Sequence, residues 1–122
     1  MRDEPSPHCV VQTTLPSEAQ AAELARAIVQ ARLGACAQLQ AIRSFYVWQA
    51  QAHDEPEWLL SIKTRSALYP ALEAWIRERH PYETPEIIRL PLTAGSAAYL
   101  AWVDQHTGWG PGPGSGPENG DN

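Results

Sequence analysis

The residues of this chain that could do chemistry crowd into one stretch, His80-Pro81-Tyr82-Glu83-Thr84-Pro85-Glu86-Ile87-Ile88. A residue before proline is pushed out of the α region, so His80 and Thr84 are both expected to be extended. The rigid connector holds an imidazole, a phenol and carboxylates close together. Such a set could catch a divalent ion, with His80, Glu83, Glu86, His106 and His53 as donors, because almost any nitrogen and oxygen ligands gain affinity along the first-row series to copper. No pair of these donors has the i, i+4 or C-x-x-C spacing that makes a metal site specific. His80 also follows a helix end, where the macrodipole favours imidazolium and so opposes ligation by the neutral ring. The alternative role for it is to cap carbonyls and hydrogen-bond a neighbour. Catalysis finds no support: there is no nucleophile with an adjacent base and no phosphate-cradling glycine loop, so no enzyme is expected.

The elements that must position the connector follow from pattern. Cys9 to Thr14 is short and β-branched and reads as a strand. Ser17-Glu18-Ala19-Gln20 has the form of a capping box, which predicts a helix from about Glu18 to Leu33, with Gly34 as a left-handed stop. Ser44-Phe45-Tyr46-Val47-Trp48 ends a second strand that is expected to be covered on both faces. A loop over 50–56 should return the chain as a strand over 57–64, making a hairpin. Ser66 is expected to cap a helix carrying Leu68, Leu72, Trp75 and Ile76, with Pro70 in its first turn and its end at about Arg79. A strand over 86–91 and a short helix from Ser96 to Val103 complete the order β-α-β-β-α-β plus a C-terminal helix, an α+β, ferredoxin-like single domain.

Composition bounds the rest. The 122 residues fit one domain, divided as a flexible N-terminus (1–7), the folded domain (8–107) and a disordered Pro/Gly-rich tail (108–122). A net charge of −5 with nine scattered basic residues argues against nucleic acid as a partner. Cys9 and Cys36 are too few for a disulfide scaffold and are expected to be buried thiols. No apolar run reaches membrane-spanning length and the N-terminus lacks that of a signal peptide, so cytoplasmic residence is expected.

His-Pro-Tyr-Glu-x-Pro-Glu at 80–86 resembles the CutA family of divalent-cation tolerance proteins. Gly34-Ala35-Cys36-Ala37, Tyr46-x-Trp48, Ile62-Lys63-Thr64 and Tyr99-Leu100-x-Trp102 support the likeness over roughly residues 9 to 106. The resemblance implies a homotrimer that serves in the response to divalent metal ions and binds copper weakly. Of the copper ligands proposed for the family, one position matches His80, while the other two fall on Arg79 and Thr13. The resemblance also places Trp48, Lys63, Tyr82 and Glu86 in clefts between subunits, although each could equally be a core aromatic or a strand-end ion pair. Because CutA trimers look like nitrogen-regulatory PII trimers, the competing expectation is a signalling or scaffold module. Its clefts would take a small ligand or a protein partner.

Overall fold

The computed structural model describes residues 6–108; the sequence-based assignments to 1–5 and 109–122 lie outside the described residues. Along the chain come strand β1 (His8–Leu15), helix α1 (Glu18–Gln30), strands β2 (Cys36–Trp48) and β3 (Gln51–Arg65), and a 3-10 turn at Ser66–Leu68. Helix α2 (Tyr69–Arg79), strand β4 (Ile87–Leu92) and helix α3 (Ala97–Gln105) follow. The sheet is antiparallel in the order β2-β3-β1-β4, as the ferredoxin-like arrangement requires.

Alternation along β1 assigns its two faces. Cys9, Val11, Thr13 and Leu15 are buried and pack with Leu60 and Ile62 of β3 beneath Ala21, Leu24 and Ile28 of α1 and Leu72 and Ile76 of α2. His8 has the opposite parity and turns to the other face, where its Nε2 meets Asp104 Oδ1 of α3 at 2.8 Å. That second face leaves Ile88 and Leu90 of β4 about two-fifths exposed.

Several local expectations are corrected. Helix α1 starts as expected, with Ser17 Oγ accepting from the Gln20 amide, but it ends at Gln30. Arg32, not Gly34, takes the left-handed conformation, with φ 62°. The amides of Arg32 and Leu33 return to the carbonyls of Val29 and Ile28, the paired bonds that close a helix around a left-handed residue. Gly34 is needed for close approach instead: a Cβ there would lie 2.4 Å from Ile62 Cγ2. Ser66 caps nothing, since its hydroxyl donates to the Ser6 carbonyl and α2 has no side-chain cap. Cys9 is buried and free, whereas Cys36 is free but only half-buried.

The hairpin differs most. Trp48 pairs with Gln51, so the turn is Gln49-Ala50 alone, both at positive φ (54° and 64°), as a two-residue type I′ connection requires. The stretch 51–56, expected as loop, is therefore strand. β1 pairs with β3 only from Trp58 to Arg65. The outer half of the hairpin thus projects as a two-stranded ribbon, and Pro56 is tolerated where β3 has no second neighbour. Bonds across the ribbon brace it: Arg43 grips Asp54 at 2.7 and 3.0 Å, Tyr46 donates to Glu55 Oε1 at 2.8 Å, and Tyr46 stacks on His53. In the single chain the tip is not covered on both faces, with Phe45 and Val47 about 70% exposed.

Candidate functional site

The connector closes the end of β1 from which the ribbon emerges. His80 is extended at the end of α2, with ψ 141°, because Pro81 excludes the helical conformation. Its half-buried ring is fixed from both sides: Nε2 lies 2.8 Å from the Thr14 carbonyl and Nδ1 accepts the Tyr82 amide at 3.1 Å. A ring that accepts at Nδ1 and faces a carbonyl at Nε2 is the neutral, Nε2-protonated tautomer. Burial accordingly pushes the imidazole pKa down, while the Thr14 carbonyl and the Glu57 charge act the other way and lose. The expectation of a dipole-favoured imidazolium is corrected by this burial.

His80 offers no free ring nitrogen to a copper ion in this chain. The Arg79 guanidinium lies over the Trp75 ring at 3.8 Å, and Thr13 is fully buried in the core with its hydroxyl unpartnered. Among the described residues no three His, Cys, Asp or Glu side chains gather where they could hold a metal ion.

The connector and the ribbon instead form the walls of a half-open cavity of about 620 Å³, lined by Thr14, Trp48, Glu57, Tyr82, Glu86 and neighbouring residues of both segments. Of the four cleft candidates the structure brings together Trp48, Tyr82 and Glu86. Lys63 is not with them in this chain: it lies six residues along β3 from Glu57, roughly 20 Å at strand rise, and donates to Gln38 Oε1 at 2.6 Å. The lining also includes Glu57 and Tyr46, which the sequence does not mark as cleft residues. Glu57 is 7% exposed, and its Oε2 accepts from the Tyr82 hydroxyl at 2.7 Å. Tyr46, taken from the sequence only as a hairpin aromatic, reaches the cavity as well. Glu57 could have been noticed as the acid adjoining the apolar run Trp58-Leu59-Leu60. Burial and the Glu57 hydrogen bond push the Tyr82 phenol far above its ordinary range, so it stays a neutral donor.

The CutA1 divalent ion tolerance protein family model matches residues 9–106. The chain belongs to that family. It is 46% identical over 95 residues to Protein CutA of Mus musculus, covering 77% of this chain and 54% of the mouse protein. The divalent-cation tolerance protein CutA of Thermus thermophilus is 39% identical over 100 residues, 81% of this chain and 97% of that protein. The crystal structure of CutA1 from Pyrococcus horikoshii superposes with a TM-score of 0.80 at 33% identity, covering 83% of this chain and 99% of that one. The chain spans about half the length of the mammalian CutA proteins it matches. CutA relatives are named for different compartments, chloroplastic in Arabidopsis thaliana and periplasmic in Archaeoglobus fulgidus. Among the described residues no helix is long and apolar enough to cross a membrane. The family is named for tolerance of ions and not for a reaction.

Proposed function

We propose that this protein is a cytoplasmic homotrimer that serves in the response to and tolerance of divalent metal ions by binding rather than by catalysis. The family match over residues 9–106 carries this reading. The trimer is supported by what a single chain leaves open: a ribbon with Phe45, Tyr46, Val47 and Trp48 exposed, and a sheet face with Ile88 and Leu90 uncovered. Unpaired edges and large apolar side chains of this kind favour pairing with further copies of the chain. Any copper contact at His80 must displace one of its two ring hydrogen bonds. Such binding is weak, and no resident cofactor is assigned.

The test is deletion of the gene in its host. Growth in raised copper or zinc is expected to fall and to recover when the intact gene is restored. Equal growth of parent and deletion strain across both metals would contradict the reading.

A second reading is favoured by the cavity. Its walls join connector and ribbon, and it is large enough for a small ligand. In this reading the trimer is a signalling or scaffold module whose clefts take a small ligand or an unknown protein partner, with Lys63 supplied from a neighbouring copy.

A further inference from the structure

We propose that Glu57 is the acceptor for the Lys63 ammonium of a neighbouring copy, a cross-copy ion pair that ties the subunits together beside the connector. The proposal rests on the homotrimer proposed above and names the group that Lys63 meets there. Glu57 is 7% exposed, and within the chain its carboxylate has one hydrogen-bond donor, the Tyr82 hydroxyl at 2.7 Å. Among the described residues no Lys, Arg or His of the same chain comes within ion-pair distance of it. This burial is the chain's own and needs no second copy. A carboxylate taken out of water without a cation is costly, so a copy that brings a cation gains more here than at an exposed acid.

Lys63 is the complementary half. Glu57 and Lys63 have the same parity on β3, opposite to the core residues Leu60, Ile62 and Thr64, and so stand on the sheet face that leaves Ile88 and Leu90 uncovered. Of the basic strand residues on that face, His8 meets Asp104 and His53 meets Glu55, while Arg65 donates to the hydroxyl and carbonyl of Thr107 at 2.8 and 3.0 Å. Lys63 donates only to a neutral group, Gln38 Oε1. Six residues of strand, roughly 20 Å, separate it from Glu57, so no single chain can close the pair. Between copies the two positions are complementary. Each copy can give its Lys63 to one neighbour and take one from the other, the head-to-tail contact that closes into a ring. The Tyr82 hydroxyl already fixes the carboxylate, so the acceptor is in place before the neighbour arrives.

The test is a double-mutant cycle on the full-length protein, with Glu57→Gln, Lys63→Met and the two combined, read by sedimentation equilibrium over a dilution series. Glu57→Gln keeps an oxygen for the Tyr82 hydroxyl, and Lys63→Met keeps the apolar stem and loses only the bond to Gln38 within the chain. Each single change is expected to raise the concentration at which the assembly half-dissociates by about tenfold or more, since it leaves one charge without its partner. The double variant should go little further than the worse single one. Carbodiimide coupling of the unmutated protein gives a second readout that needs no variant to fold. Peptide mass mapping should find an amide joining Glu57 to Lys63 in covalently linked chains and not in single ones. An assembled parent that Lys63→Met leaves as resistant to dilution, additive effects in the cycle, or coupling of Lys63 to other carboxylates and never to Glu57 would overturn the pair and leave the trimer standing. A parent that is a single chain at every concentration would remove the trimer and the pair together.

Discussion

Thr13 and His80 are polar groups whose behaviour is decided by burial. The Thr13 hydroxyl is buried with no hydrogen-bond partner. Thr13→Val keeps the shape and removes the orphan, so it is expected to raise stability by about 1 kcal/mol, the cost of an unmade bond in a buried site. Urea denaturation measures this, and a loss of stability would mean that the hydroxyl is satisfied. His80 gives a pH dependence of definite sign. Its folded pKa lies below the ordinary imidazole value. The unfolded chain therefore takes up the proton first as pH falls. Stability is fully present above about pH 6.5 and is lost as pH drops from there through the lowered folded value. Urea midpoints at pH 7.5 and pH 5.5 should differ less in His80→Gln than in the parent; an equal difference would remove His80 from the effect. The sequence showed where this imidazole stands, after a helix and before a proline. It could not show that the Thr14 carbonyl, 66 residues away, comes to meet it. For the same reason the sequence does not single out Glu57, since only the folded connector brings Tyr82 to it.

Elements were legible where a local rule sets them. The Ser17-to-Gln20 box starts α1, Pro81 ends α2, and Ser96 caps α3 with its hydroxyl accepting from the Tyr99 amide. They were not legible where a residue acts against its type. The turn at Gln49-Ala50 holds two non-glycine residues at positive φ, without the Asn-Gly signal of such turns, so the sequence placed a loop where β3 continues. Replacing the pair by Asn-Gly is expected to stabilise the hairpin by ~1 kcal/mol or more, the size of such backbone strain. Thermal denaturation checks it, and no gain would mean that the turn is unstrained. The position of Gly34 after a helix suggests a stop, but its role is tertiary, since a Cβ there would meet Ile62 Cγ2. Gly34→Ala is expected to cost about 1–3 kcal/mol through overpacking. Ile62→Leu removes the branch at Cβ that blocks the added methyl. The double variant should therefore be more stable than the sum of the two single losses, and simple additivity in a double-mutant cycle would show that the contact is not the cause.

At the scale of the molecule the sheet order and the helix pairing on one face agree with the ferredoxin-like expectation. The surface does not look finished in one copy. The ribbon tip carries Phe45 and Val47 in the open, and β2 and the outer half of β3 have edges with no partner among the described residues. The sequence flagged this hairpin as aromatic and in need of cover, but what covers it lies outside a single chain. Assembly should therefore depend on the ribbon. The most direct measurement is sedimentation equilibrium of the parent and of Tyr46→Asp. The parent is expected to have three times the 13.5 kDa chain mass. The variant should shift toward the single-chain mass, with a loss of ~2 kcal/mol or more if Tyr46 is central to the contact. A parent that sediments at the mass of one chain would contradict the trimer, and a variant that stays as firmly trimeric as the parent would contradict the ribbon's part in it.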